Sequence, residues 1–171
     1  MIYPIVKYGQ PVLERRGADI IEFDTPELRQ LIEDMFESMY AAKGVGLAAP
    51  QIGVGQRLAV IDTTTGEDEG QKIVLINPEI IQMEGTQKSE EGCLSLPTFR
   101  EQVNRPRKVT VRAWDVTGKE FEMTGEDLLA RAFLHETDHL NGKLYINHIS
   151  PLKRDLIRRK IRKLQKLGEW E

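Results

Sequence analysis

Two histidines four residues apart with a glutamate between them, His135-Glu136-Thr137-Asp138-His139, constrain this chain more than any other stretch. Positions i and i+4 share one face of an α-helix, so a helical segment here aims both imidazoles at one point, where they can grip a single metal ion. Glu136 lies one step round the helix and can reach a water on that ion as its general base. The flanking residues favour such a helix. Leu128, Leu129, Ala132 and Phe133 run into the histidines, Asn141-Gly142 supplies a stop, and Thr124-Gly125-Glu126-Asp127 has the spacing of a capping box with Asp127 in place of the usual glutamate. The pattern signals a hydrolase without naming its substrate.

Two further helices and a set of short strands are predicted around it. Leu28, Leu31, Ile32, Met35, Phe36, Met39 and Tyr40 follow helical spacing behind Pro26, with Gly44 as the stop. Strands are expected at Arg57 to Ile61, Ile73 to Ile76, Ile80 to Met83, Val109 to Trp114 and Phe121 to Met123, with Thr117-Gly118 turning between the last two. The acidic stretch from Thr63 to Lys72 is expected as an exposed loop. Ser150-Pro151 opens a last helix that reaches Leu167-Gly168, with Leu152, Leu156, Ile157, Ile161 and Leu164 as its apolar side.

Length and composition narrow the function classes. With 171 residues the chain suits one domain, 1–171. No apolar run approaches a membrane span, and the first residues lack a secretory or transit pattern, so the cytoplasm is the expected location. A single cysteine, Cys93, excludes an intrachain disulfide framework. Residues 151–167 carry +7 of charge, which against a total of −3 leaves −10 for the rest. An acidic body argues against specific DNA binding and leaves a basic C-terminal helix as the one cationic element.

A catalytic metal site commonly takes three protein ligands and leaves one position open. Two are the histidines; candidates for the third are His148, a carboxylate, or Cys93 in Glu91-Gly92-Cys93-Leu94-Ser95. His148 lies nine residues past His139 and beyond the helix-ending glycine, without the glycine-bearing turn that metalloproteases use at such spacing. On this reading it is a surface or capping histidine.

Three segments carry a resemblance. Gly44-Val45-Gly46-Leu47-Ala48-Ala49-Pro50-Gln51, Glu91-Gly92-Cys93-Leu94-Ser95 and His135-Glu136-Thr137-Asp138-His139-Leu140-Asn141-Gly142 resemble, in that order, the three signature motifs of peptide deformylases. The likeness runs from Tyr8-Gly9-Gln10-Pro11-Val12-Leu13 to Ser150-Pro151-Leu152-Lys153. Two departures, Leu134 where the family often has glutamine and Gly9 after Tyr8, touch no expected ligand.

The resemblance implies Cys93, His135 and His139 as metal ligands, for Fe(II) as the native ion with Zn(II), Ni(II) or Co(II) as alternatives. It implies hydrolysis of the formyl group of formylmethionyl nascent peptides: metal-bound hydroxide attacks the formyl carbon, with Glu136 as base and then acid. The Gln51 amide and the Leu94 N–H are implied as oxyanion donors. Gly44, Val45 and Gly46 are implied as a strand-like docking edge, Gly92 as the opposite side, and Leu128, Arg131 and Ala132 as a pocket for the methionine side chain. Glu91 and Arg105 are implied as an ion pair bracing the Cys93 loop, and Asp138 as a residue orienting a ligand. The implied fold is α+β, with antiparallel or mixed strands around the central metal-binding helix and helices at both ends. Two rival functions are a zinc endopeptidase and a ribosome- or RNA-binding module acting through the basic helix.

Overall fold

The computed structural model describes residues 1–170 and is α+β. Helix α1, Pro26–Ala41, starts at Pro26 with the Thr25 hydroxyl accepting the Leu28 N–H at 3.1 Å. Its stripe Leu28, Ile32, Met35, Phe36 and Met39 is buried against the sheet. The left-handed residue after the helix is Lys43 (φ 59°), not Gly44, so Gly44 is not needed there as a conformational stop.

Five antiparallel strands form the main sheet: β1 (Gly46–Ala48), β2 (Leu58–Ile61), β3 (Ile73–Glu84), β6 (Lys108–Trp114) and β7 (Glu120–Glu126), in that spatial order. The two strands expected at 73–76 and 80–83 are one strand. β3 continues through Asn77-Pro78 by shifting register between Ile76 and Glu79, and the missing Pro78 donor falls at this irregularity. β4 (Gln87–Cys93) and β5 (Leu96–Arg105) make a separate two-stranded hairpin. Neither these two strands nor β1 is expected from the sequence. Gln87-Lys88-Ser89-Glu90-Glu91-Gly92 has no apolar alternation, because the one residue it buries is the charged Glu91 and Lys88 to Glu90 are exposed.

Helix α2, Leu128–Leu140, crosses the sheet. Ala130, Phe133 and Leu134 bury against Val109, Val111 and Ala113 of β6. The capping box is overturned: Thr124 belongs to β7, opposite Thr110 with their hydroxyls 2.7 Å apart, and Asp127 enters the helix at φ 55° without a side-chain cap. Strand pairing has outcompeted the local cap. At the other end Arg57, buried, donates to Leu140 O (2.8 Å) and Asn141 Oδ1 (2.9 Å), so the orphan carbonyl is satisfied from β2's doorstep.

Helix α3, Pro151–Lys166, is capped by the Ser150 hydroxyl. Ile157 and Ile161 enter a third cluster with Leu96, Val103, Tyr145 and Trp170, which fixes α3 beneath the hairpin. Its expected apolar side is divided, however: Leu152 and Leu156 are 72% and 47% exposed. They lie on a different edge of the helix from Ile157 and Ile161, and a five-residue stripe is wider than the groove that receives it.

Candidate metal centre

Three donors meet where the hairpin abuts α2. Cys93 ends β4, at a register shift between Gly92 and Cys93, while His135 and His139 project from α2. Their ligand atoms lie within 4.8 Å of one another. His139 Nε2 is 3.2 Å from His135 Nε2 and 3.3 Å from Cys93 Sγ. Tetrahedral bonds of about 2.05 Å to imidazole nitrogen and about 2.3 Å to thiolate give edges of about 3.4 Å and about 3.6 Å. The donor set therefore fits a divalent ion of that size to within a few tenths of an ångström.

The electrostatics point the same way. Burial pushes the Cys93 thiol up, but the imidazoles of His139 and His135 outweigh it and bring it down to about 5, so sulfur is a thiolate near neutrality. Burial works against charge on His135, yet Glu136, Cys93 and Glu91 raise it well above the ordinary histidine range. A thiolate beside two imidazoles is a donor set that a divalent cation can hold together.

Glu91, 4% exposed, organises the surroundings. It accepts from Arg105 Nη2 (2.7 Å) and Nε (3.2 Å) and from Arg131 Nη1 (2.5 Å), and its Oε1 lies 2.6 Å from His135 Nδ1. Burial favours its neutral form, but the bonds from His135 and Arg105 hold it well below the usual carboxylate range. With Nδ1 occupied as a donor to Glu91, Nε2 of His135 is the ring atom left facing Cys93 and His139, free to bind a metal once its proton is displaced. Arg131, expected only in a side-chain pocket, thus commits its guanidinium to Glu91 and to Val103 O (3.1 Å). Asp138 makes no direct hydrogen bond to His135, His139 or Cys93 among the described residues, and reaches His135 only through Arg105 and Glu91. It accepts from Arg105 Nη1 (2.8 Å) and pairs with His148 Nε2 (2.8 Å), which places His148 outside the donor set at the surface.

Glu136 is 3% exposed, between the two histidines in sequence and facing β1 in space. Burial raises its carboxyl above the usual range, although His135 and His139 pull it down. Its Oε1 is buried with no hydrogen-bond partner among the described residues. Gln51 sits in the 3₁₀ turn Ala49–Ile52. Its Oε1 accepts the Ala48 N–H at 3.0 Å, which turns Nε2 towards Ser95 Oγ (3.2 Å) and Cys93 Sγ (3.6 Å).

A cleft of about 580 Å³ opens on this centre. Gly44, Val45, Gly46, Gln51, Gly92, Cys93, Leu94, Leu128, Arg131, Ala132, His135 and Glu136 line it; His139 is fully buried behind. Leu128 stands at the rim, 49% exposed. Sequence reasoning missed the contribution of β5, whose Phe99 and Arg100 also line the cleft. No sequence signal marked them, since the hairpin itself went unread.

A family model described as polypeptide deformylase matches residues 2–155. The peptide deformylase of Acidobacterium capsulatum is 62% identical over 170 residues, covering 99% of both chains. That of Thermodesulfovibrio yellowstonii is 50% identical over 161 residues, 94% of this chain and 97% of its own. Among solved structures, the crystal structure of a peptide deformylase from Legionella pneumophila superposes with a TM-score of 0.90 at 47% identity, covering 100% of this chain and 99% of the other.

Proposed function

The chain belongs to the polypeptide deformylase family, a family of metalloenzymes, and from that premise we propose that it releases formate from the formylmethionine of newly made polypeptides, acting as a single catalytic domain. The observation that carries this reading is the convergence of Cys93, His135, His139 and Glu136 on one point of a cleft.

Cys93, His135 and His139 hold the metal, Fe(II) in the cell and Zn(II), Ni(II) or Co(II) as working substitutes. When bound, such an ion supplies Lewis acidity, making a water more acidic and polarising the formyl carbonyl. Glu136 accepts the proton of the attacking water and returns it to the amine as the C–N bond breaks. Burial raises the pKa of this carboxyl, which makes the carboxylate a stronger base towards the attacking water. Gln51 Nε2 and the Leu94 N–H donate to the oxyanion.

The substrate main chain adds to β1. Val45 O accepts the Asp62 N–H at 2.8 Å, so strand alternation turns the N–H and C=O of Gly46 away from β2 and towards the cleft. Gly92 faces this edge from the hairpin. Leu128, Ala132 and the aliphatic stem of Arg131 bound the methionine side chain.

The enzyme works in the cytoplasm beside the ribosome. No helix of the described residues is long and apolar enough to cross a membrane. The exposed cations Arg159, Lys160 and Lys163 of α3 support ribosome contact through that face. Their replacement by glutamate is expected to abolish co-sedimentation with ribosomes while leaving turnover intact; unchanged co-sedimentation makes α3 a structural element only. The main test is hydrolysis of formyl-Met-Ala-Ser beside an internally cleavable peptide, on anaerobically purified protein whose metal is analysed. Formate release without internal cleavage is expected, and internal cleavage alone overturns the reading.

A further inference from the structure

We propose that Gly46 is a positioning residue for Glu136: the space its missing side chain leaves is the seat of the general base. This rests on the reading of Glu136 above and adds to the docking role of β1 a separate, steric one.

Glycine is not required at position 46 by the backbone. Gly46 is absent from the left-handed glycines of the chain and pairs regularly with Ile61 in β1, a conformation open to any L-residue. What requires glycine is the neighbour. A Cβ at position 46 would stand 2.5 Å from Glu136 Oε2, 2.8 Å from Cδ and 3.2 Å from Cγ. Three consecutive atoms of the glutamate are too close, so rotating only the carboxylate cannot relieve the contact.

Neither backbone can retreat. Residues 46–48 are paired with 59–61 of β2, and α2 is held by Phe133 and Ala130 in the core and by the flanking ligands. The yielding coordinate is the Glu136 side chain itself, which is 3% exposed and whose Oε1 has no hydrogen bond to hold it in place. Packing against the bare backbone of Gly46 is thus what fixes the carboxylate, in place of the polar partners that usually orient a buried acid. Gly44 makes the contrast: a Cβ there meets the Leu94 Cδ1 methyl at 2.9 Å, the free end of an apolar side chain that can turn aside.

The test is a double-mutant cycle on the metal-loaded enzyme. Gly46→Ala is expected to lower kcat for formyl-Met-Ala-Ser by about 100-fold, the scale of a 1 Å misplacement of a catalytic group, with metal content and KM nearly unchanged. In melting curves it is expected to lower Tm by about 3–10 °C in the wild-type background, as overpacking does, and to have little effect in Glu136→Ala, where the clash partner is gone. Gly46→Ala/Glu136→Asp, with the carboxylate withdrawn by one methylene, is expected to show a kcat close to that of Glu136→Asp alone. Equal Tm losses in both backgrounds, or a change confined to KM, overturn the inference. So does a Gly46→Ala protein that fails to fold and is not restored by Glu136→Ala. Full activity in Glu136→Ala would instead sink the reading of Glu136 as base, so the two failures are distinct.

Discussion

Helix α2 and the β4–β5 hairpin form facing walls of the same centre and are held there by different forces. α2 carries His135, Glu136 and His139 on a scaffold of its own backbone hydrogen bonds, with Ala130, Phe133 and Leu134 packed on β6. The hairpin contributes Cys93 from a polar strand with little apolar surface, and it is tied to α2 by charge: Glu91 reaches Arg131 and His135 across the gap, and Arg105 reaches Asp138. One wall is fixed by burial, which is non-directional and forgiving. The other packs Leu96 and Val103 on α3 and the 3₁₀ turn at Tyr145, but its contact with α2 is fixed by a few buried ion pairs, each of which fails badly if one member is removed. The ligand that most needs placing comes from the wall with fewer local reasons to be where it is.

That contrast can be broken first at the ligands. Cys93→Ala is expected to lose both metal and turnover, whereas Glu136→Ala keeps the metal and loses about 10²- to 10⁴-fold in kcat. Metal analysis beside a deformylase assay separates the two, and equal metal loss would make Glu136 structural. Next, Glu91→Ala leaves Arg105 and Arg131 buried without their carboxylate and is expected to cost about 3–5 kcal/mol in urea unfolding. A Phe133→Leu change in the other wall is expected to cost less, because the apolar contact is only trimmed.

The same pair predicts a pH dependence. Glu91 has its folded pKa depressed, so its stabilisation is complete above about pH 4.3, the ordinary glutamate value, and is lost progressively as pH falls below it. Between pH 5 and 3, on the order of that titration range, the wild-type Tm should fall more steeply than that of Glu91→Gln. Parallel slopes would remove Glu91 from the acid response. Smallest of all is Arg100→Ala. Its pair with Glu90 at 2.5 Å lies on the exposed flank of the hairpin, and its loss should change stability by less than about 1 kcal/mol.

The three helices were legible because helical periodicity and proline or hydroxyl starts are local: α1 starts at Pro26 and α3 at Ser150-Pro151, where the sequence puts them. The hairpin was not, since Gln87 to Gly92 has no apolar side chain to alternate, and its one buried residue, Glu91, is charged. The false capping box at Thr124–Asp127 shows the limit from the other side. A local signal was present, and pairing with β6 overrode it. At the site, the resemblance to a family supplied residues whose roles no spacing could give, and the structure added to two of them. Arg131 lines the cleft and also commits its guanidinium to Glu91, and Asp138 bonds Arg105 and His148.

By itself the sequence determined that His135 and His139 share a helix face with Glu136 beside them, because four residues make about one turn whatever surrounds them. Only the tertiary structure decided that Cys93, 46 residues before His139, completes the donor set, that Glu91 holds His135 from 44 residues away, and that Gly46 leaves room for Glu136. Those relations cross the gap between two separately stabilised walls. No local rule of chain geometry spans that distance, so they are set by how α2, β1 and the hairpin pack together.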